Sequence, residues 1–312
     1  MTNKPVMTLL CGLPASGKST YARQLIKEIN ATIFSSDELR EEMFGDVNNQ
    51  DNNTELFHEL HKRIKNCLKS GNNAIYDATN ISSKRRRAFL QELNKINCTK
   101  KCVIVATSYE QCLENNRNRD RQVPEYVIEN MYKHWNTPYW FEGWDYIQIK
   151  YWGNIVKQTA VDWVLKYLDY EQDNHHHRLS LGGHCIQAAF NFITSEWINS
   201  RLSKTLFQAA LAHDCGKPFV KKFENSKGEV TEEAHYYLHE NSGAYDSLFF
   251  EYTNDVDSLD VSILINLHMQ PYNWERQDEK TELKLRNKYR KLWGNDLFNS
   301  VIMLHEADKA AH

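Results

Sequence analysis

The 312-residue chain has no run approaching the ~18 consecutive apolar residues of a membrane span, and its first residues, Met1-Thr-Asn-Lys-Pro, carry no apolar core of signal-peptide length. A soluble, cytoplasmic protein with no membrane partner is therefore expected. Seven cysteines (Cys11, Cys67, Cys98, Cys102, Cys112, Cys185, Cys215) are scattered without any Cys-x-x-Cys spacing. An odd, unpaired set argues against a disulfide framework and for reduced, mostly buried thiols. Neither sign of charge dominates: 38 Lys and Arg face 41 Asp and Glu, for a formal net charge of -3. No domain-wide basic field is available, so a nucleic-acid partner must be held by local patches. Internal repeats and low-complexity tracts are also missing, and Asn48 to Asn53 is merely a polar loop. What remains is a chain that is 41% hydrophobic and 12% aromatic, long enough for two well-filled domains.

Up to about residue 152, short β-rich apolar runs (Val6 to Cys11, Ala31 to Phe34, Asn73 to Tyr76, Lys101 to Ala106) alternate with amphipathic helical stretches. That alternation predicts an α/β domain with a parallel sheet covered by helices. Beyond Trp152 the character changes: Ile155 to Tyr170 reads as one helix, and helical periodicity continues to the end with little β signal. The predicted organisation is an α/β domain over 1–152, a connecting helix over 153–171 and an all-α domain over 172–312.

Gly12-Leu-Pro-Ala-Ser16-Gly17-Lys18-Ser19-Thr20 follows the first apolar run and opens a helical stretch. In a strand–loop–helix context this pattern cradles phosphates: glycines let backbone N–H groups curl round them, Lys18 reaches the β and γ phosphates, and the Ser19 hydroxyl can ligate Mg²⁺. ATP or another nucleoside triphosphate with Mg²⁺ is the expected ligand.

The second run leads into Ser35-Ser36-Asp37-Glu38-Leu39-Arg40, which puts a carboxylate at a strand's C-terminal end. At the ligand-facing edge of a parallel sheet, Asp37 could take a proton from an attacking hydroxyl and Arg40 could hold a phosphate. A simple helix N-cap is the alternative. The third run ends in Asp77-Ala-Thr79-Asn80 and continues through Lys84-Arg85-Arg86-Arg87, a polar loop suited to acceptor recognition followed by arginines suited to a phosphate backbone; the basic run could equally be a solvated face. Asn115-Asn-Arg117-Asn-Arg119-Asp-Arg121-Gln-Val-Pro124 reads as a lid whose arginines close over a transferring phosphoryl group. Aromatic residues crowd the region after it: Trp135, Tyr139, Trp140, Phe141, Trp144, Tyr146, Tyr151 and Trp152. Base stacking is one use for such rings; packing at the domain edge is the reading favoured here.

Together these motifs make the first half resemble the phage 5′-hydroxyl polynucleotide kinases. The resemblance implies that Lys18 and Ser19 bind phosphates and metal, that Asp37 is the general base, and that Arg40 contacts the acceptor phosphate. From the loop pattern Gly12, Ser16, Gly17 and Thr20 are expected at the nucleotide, with Arg117 and Arg121 as further candidates there, and from the polar and basic cluster Asp77, Thr79, Asn80, Arg85 and Arg86 are expected at the acceptor. The lid spacing differs from the family's, so Arg119 is taken as the transition-state arginine with the roles of Arg117 and Arg121 unresolved.

In the second half, His184, His213-Asp214 and Asp308 come from separate helical stretches, with His239 and His268 between them. Imidazoles and carboxylates aimed from several helices at one point suit a divalent metal, and Asp214 could bridge two. Lys217, three residues after Asp214, could neutralise a phosphate oxygen. This half resembles the HD phosphohydrolases, named for the His-Asp pair. That likeness implies His184, His213, Asp214 and Asp308 as ligands of a first metal, His239 and His268 as additional ligands, and Mn, Fe, Co or Ni as candidate ions. His175 to His177 are expected to line the entrance or cap the domain, and His235 and His305 to stand behind the ligands.

The pairing of the two resemblances implies an enzyme that heals RNA (or DNA) strand ends, with a separate RNA ligase as a partner and a bacterial or phage-infected bacterial cytosol as its setting. A homodimer is compatible. Two alternatives stay open: a small-molecule kinase fused to a nucleotidase, and an NTP-binding regulatory module without turnover.

Overall fold

The computed structural model describes residues 4–49, 51–154, 158–175, 178–193, 200–253 and 255–312. The chain divides into two compact units, one of Met1–Met131 with Pro138–Ile155, the other of Tyr132–Thr137 with Val156–His312. The segment Tyr132–Thr137 joins the second unit because its large side chains bury there: Trp135 is fully buried, sits edge-on to Tyr245 and donates its indole N–H to Thr137.

The first unit runs β1 (Val6–Cys11), α1 (Lys18–Glu28), β2 (Ala31–Ser35), α2 (Ser36–Phe44), α3 (Asn53–Lys69), β3 (Asn73–Asp77), α4 (Ser83–Glu92), β4 (Thr99–Ala106), α5 (Tyr109–Arg117), α6 (Glu125–Lys133), a 3₁₀ turn (Trp140–Glu142) and β5 (Tyr146–Tyr151). The strands form one parallel sheet in the order β2-β3-β1-β4-β5. β1 lies at the centre, with Met7, Leu9 and Leu10 fully buried, as expected of a strand covered on both faces. The predicted α/β fold with helices flanking a parallel sheet is what the chain adopts. β5 was not among the predicted strands; it is an edge strand with Tyr146 exposed, so its apolar signal is weak.

The second unit continues with β6 (Gln158–Thr159), α7 (Ala160–Lys166), α8 (Leu181–Phe190), α9 (Arg201–Ala212), α10 (Lys217–Val220), β7 (Lys222–Glu224), β8 (Val230–His235), α11 (His239–Ser247), β9 (Phe250–Glu251), α12 (Ser258–Leu267), α13 (Gln270–Glu275) and α14 (Glu279–Lys309). It is helical but not all-α. β7 and β8 make an antiparallel hairpin, and β6 pairs with β9. The hairpin is closed by local chemistry: Gly228 takes a left-handed φ of 81°, and the Asn225 side chain accepts from the N–H groups of Lys227 and Glu229. The helix predicted over Ile155 to Tyr170 is shorter, spanning Ala160–Lys166 and opened by a capping box between Thr159 and Asp162; residues 155–157 lie outside the described residues. α14 is interrupted at Gly294, where φ is 77°. Among the described residues no helix is long and apolar enough to cross a membrane.

Candidate functional site

The phosphate loop sits where the parallel sheet leaves its C-terminal edge, between β1 and α1. Two positions need left-handed backbone, Ala15 (φ 60°) and Gly17 (φ 89°), and a Cβ on Gly17 would fall 2.6 Å from the Trp152 indole. Thr107 at the end of β4 donates to the Ser16 carbonyl at 2.9 Å, and Asn115 donates to the Ala15 carbonyl at 3.1 Å, so the loop is braced from outside. Lys18 is buried and turns its ammonium back onto the Leu13 carbonyl (2.5 Å) and the Ser16 hydroxyl (3.3 Å). Burial lowers its pKa, the neighbouring Asp77 opposing the shift.

Asp77 ends β3, buried, and hydrogen-bonds the Ser19 side chain. Burial raises its pKa, while Ser19 and Lys18 pull the other way. Thr79 and Asn80 tie the following loop to the phosphate loop: the Gly12 N–H donates to the Thr79 carbonyl at 3.0 Å, and the Asn80 side chain donates to the Leu10 carbonyl at 2.9 Å.

Asp37 stands exposed in the first turn of α2, whose N-cap is Ser35, not Asp37. The cap alternative is thereby excluded for this carboxylate. Its two oxygens are held separately, Oδ1 by Arg40 Nη1 at 3.1 Å and Oδ2 by Arg121 Nη1 at 2.8 Å. Arg40 is buried and also donates to Asn53 at 2.9 Å, leaving its Nε without a hydrogen-bond partner. Arg121 further reaches the Val47 carbonyl at 3.1 Å and Asn48 at 3.3 Å. Arg119 is half-buried near Asp37 and Arg121, bonded to Asn116 at 3.1 Å, with its pKa lowered by burial and by Arg121. Arg117 is exposed and pairs with Glu125 at 2.6 Å.

Arg85 is exposed as expected, but Arg86 is not. It is fully buried, clamped by Glu142 through bonds of 2.8 and 2.6 Å, and donates to the Asn80 carbonyl at 2.9 Å. A guanidinium with these partners cannot face a strand's phosphates; it fixes the loop that carries Asn80. Of the aromatic cluster, Trp135, Tyr139 and Trp144 are buried, whereas Trp140, Phe141, Tyr146 and Tyr151 are exposed.

In the second unit, the six predicted ligands converge. His184 comes from α8, His213-Asp214 from the end of α9, His239 from the start of α11, His268 from the end of α12 and Asp308 from α14. His184, His213 and Asp214 form one cluster and Asp214, His239 and His268 another, with ligand atoms within 4.8 Å in each. Asp214 spans them, its Oδ1 3.2 Å from His239 Nε2 and its Oδ2 3.3 Å from His213 Nε2. Asp308 Oδ1 lies 2.9 Å from His184 Nε2 and 3.4 Å from His213 Nε2. All six residues are buried.

The imidazole tautomers follow from the backbone. Nδ1 of His213, His239 and His268 donates to the carbonyls of Ala210, Tyr236 and Ile265, each at 2.7 Å and each three residues upstream. A neutral ring so tied keeps only a lone pair on Nε2. Yet His239 Nε2 and His268 Nε2 are 3.3 Å apart, and His184 Nε2 and His213 Nε2 3.2 Å apart. For His239 and His268, lone pairs that close call for a cation between them, whereas His184 can donate from Nε2 to Asp308 Oδ1 at 2.9 Å; the buried carboxylates of Asp214 and Asp308 add the matching negative charge. The donor set therefore fits divalent transition ions. Without one, a proton serves: burial disfavours charge on His213, but Asp214 and Asp308 lift its pKa well above the usual range. His268, buried and facing His239 and His213, is pushed down to about 3 and stays neutral.

Lys217 is buried at the start of α10, its ammonium 2.7 Å from Asp214 Oδ2 and 2.8 Å from Gln172 Oε1. Gly216 explains how Asp214 reaches α11: a Cβ there would meet the His239 carbonyl at 2.2 Å and the Gly243 nitrogen at 2.6 Å. Residues beyond the predicted set also touch the clusters. Tyr272 donates to Asp308 Oδ2 at 3.0 Å, and His312 Nε2 lies 3.5 Å from Asp308 Oδ1, four residues on along the helical end. That i,i+4 spacing was a readable signal for His312. His305 is buried against Glu275 (2.8 Å), and His235 stacks on Tyr237. His175 pairs with Glu233 at 2.6 Å, while His176 and His177 lie outside the described residues.

The first unit is thus an α/β P-loop domain with a carboxylate poised at its sheet edge. Residues 7–138 match the family model described as AAA domain. The chain is 26% identical over 151 residues to the L-seryl-tRNA(Sec) kinase of Methanococcus maripaludis, a match covering 45% of this chain and 56% of that protein. It thus spans little more than half the length of that curated relative. Among solved structures, one described as the Pnkp1/Rnl/Hen1 complex is similar at 27% identity, covering 38% of this chain and 41% of that chain with a TM-score of 0.33. A gluconokinase from Sinorhizobium meliloti is similar at 13% identity, covering 48% and 85%, with a TM-score of 0.37.

Proposed function

We propose that this chain heals broken RNA ends, the first unit phosphorylating a 5′-hydroxyl and the second removing a 2′,3′-cyclic phosphate or 3′-phosphate. The observation that carries the first half is Asp37: an exposed carboxylate at the sheet edge, its charge felt at Lys18 and Asp77, with each oxygen held by an arginine. Asp37 accepts the proton of the 5′-hydroxyl as that oxygen bonds to the γ-phosphorus of NTP·Mg²⁺. The bridging P–O bond to the β-phosphate breaks, and NDP leaves. Lys18 and the loop N–H groups would hold the β and γ phosphates, Ser19 would hold the Mg²⁺, Arg40 would steady Asp37 and contact a phosphate of the acceptor, and Arg119 would cover the transferring group. Similarity to an enzyme named as a seryl-tRNA kinase favours a hydroxyl borne by RNA over a free metabolite.

In the second unit, His184, His213, Asp214 and Asp308 would hold one divalent ion, and Asp214, His239 and His268 a second. Such ions, when bound, supply Lewis acidity at the phosphoryl group. Lys217 balances charge on a phosphate oxygen, and the four histidines orient their Nε2 atoms inward. A separate RNA ligase would seal the healed ends.

One incubation tests both halves: purified protein, ATP and divalent metals with an RNA bearing 5′-OH and 2′,3′-cyclic phosphate. Both ends should change, Asp37→Ala should abolish only the 5′ event, and Asp214→Ala only the 3′ event. An unchanged 5′ end with wild-type protein defeats the kinase assignment, and retained 3′ hydrolysis in Asp214→Ala defeats the hydrolase site.

A further inference from the structure

His312 is absent from the ligand set expected from the sequence, yet the fold brings its ring to the first ligand cluster. Ala310 caps α14, and the N–H groups of Ala311 and His312 donate to the carbonyls of Asp308 (3.0 Å) and Lys309 (3.3 Å). The chain thus keeps winding beyond the helix, and His312, four residues after Asp308, falls on the same side. Its ring centroid lies 4.9 Å from that of His184, and its Nε2 3.5 Å from Asp308 Oδ1. Its side chain is 30% exposed, whereas those of His184, His213, Asp214 and Asp308 are buried.

The two oxygens of Asp308 are divided between different partners. Tyr272 donates to Oδ2 at 3.0 Å, which leaves Oδ1 to the imidazoles, 2.9 Å from His184 Nε2, 3.4 Å from His213 Nε2 and 3.5 Å from His312 Nε2. His184, Asp308 and His312 make a ligand group with donor atoms within 4.8 Å of one another, and His184, His213 and Asp214 make another. The two groups share His184, whose Nε2 has one lone pair and whose Nδ1 faces the Ala311 carbonyl at 3.4 Å. They therefore describe one ion with five donors, not two ions. Donors held about 2.0–2.2 Å from a common ion sit about 3–4 Å from each other, and the spacings around Asp308 Oδ1 match that requirement.

We infer that His312 is a fifth protein ligand of the first ion, on its solvent side. This rests on the two-ion reading of the second unit and deepens it. Three imidazoles and two carboxylates exceed the four-coordinate shell that zinc favours and leave one place in an octahedral shell. The five donors thus select an ion of octahedral habit, such as Mn²⁺, Fe²⁺, Co²⁺ or Ni²⁺, with room for a single phosphate oxygen or water.

The test titrates Co²⁺ into the metal-free full chain and follows binding by calorimetry and by the visible absorption of the bound ion. Wild type should bind two ions. His312→Ala should weaken one of them by at least the roughly 10- to 100-fold that even outer-shell partners are worth, and shift its visible bands to longer wavelength as a weaker oxygen donor replaces the imidazole. His312→Gln keeps a hydrogen-bond donor for Asp308 but no imidazole, and should behave as His312→Ala does. Added imidazole should restore the spectrum of the alanine variant, and the affinity for Zn²⁺ relative to Mn²⁺ should rise in it. Both metal-free variants should unfold at the wild-type denaturant concentration; should either unfold earlier, the restoration by imidazole decides. Wild-type affinity and spectrum in either variant overturns the fifth ligand and leaves the two-ion reading standing. A wild-type chain that binds no Co²⁺ defeats that reading and the fifth ligand together.

Discussion

The two units build their sites in opposite ways. In the first, the candidate phosphate loop is one stretch, Gly12 to Thr20. In the second, six candidate metal ligands are drawn from positions as far apart as His184 and Asp308, and backbone carbonyls orient three of their imidazoles. A contiguous site is fixed by local turn geometry; a dispersed one depends on the packing of every helix that contributes to it. The first should tolerate distant damage, and the second should not.

That contrast can be broken experimentally. The largest effect is expected from Asp214→Asn, which should empty both ligand clusters at once, read as metal content per chain after dialysis, while ATP-dependent phosphoryl transfer persists. Next, Asp37→Asn should lower kinase kcat by about 10²- to 10⁴-fold, the usual worth of a positioned general base, with 3′ hydrolysis intact. If either substitution disables both activities, the units are not independent. Gly216→Ala sharpens the point about packing: its new methyl collides with backbone, so a destabilisation of about 1–3 kcal/mol, seen in denaturant unfolding, should accompany loss of metal without any ligand being changed. The smallest effect is expected for Arg117→Ala, since its exposed ion pair with Glu125 is screened by solvent and contributes little; unchanged kinase kcat would separate it from Arg119.

Legibility in the sequence followed the same divide. The loop at Gly12, the strand-end position of Asp37 and the parallel sheet could be read because each rests on local pattern. The six candidate ligands of the helical half were legible from residue type and a family likeness, and the structure brings them together. Arg86 was misread because its partner, Glu142, is 56 residues away and nothing near Arg86 announces it. The β7–β8 hairpin was overlooked although Gly228 marks its turn, because short exposed strands leave a faint apolar trace.

The close approach at Gly216 bears on the second ligand cluster. With its nitrogen positioned so that a Cβ on Gly243 would lie 2.9 Å away, and no room for a side chain on either strand of the contact, main chain presses on main chain between the His213-Asp214 turn and α11. The start of α11, and with it His239, is held against the Asp214 turn by main chain alone, so their spacing cannot relax by a rotamer change at the contact.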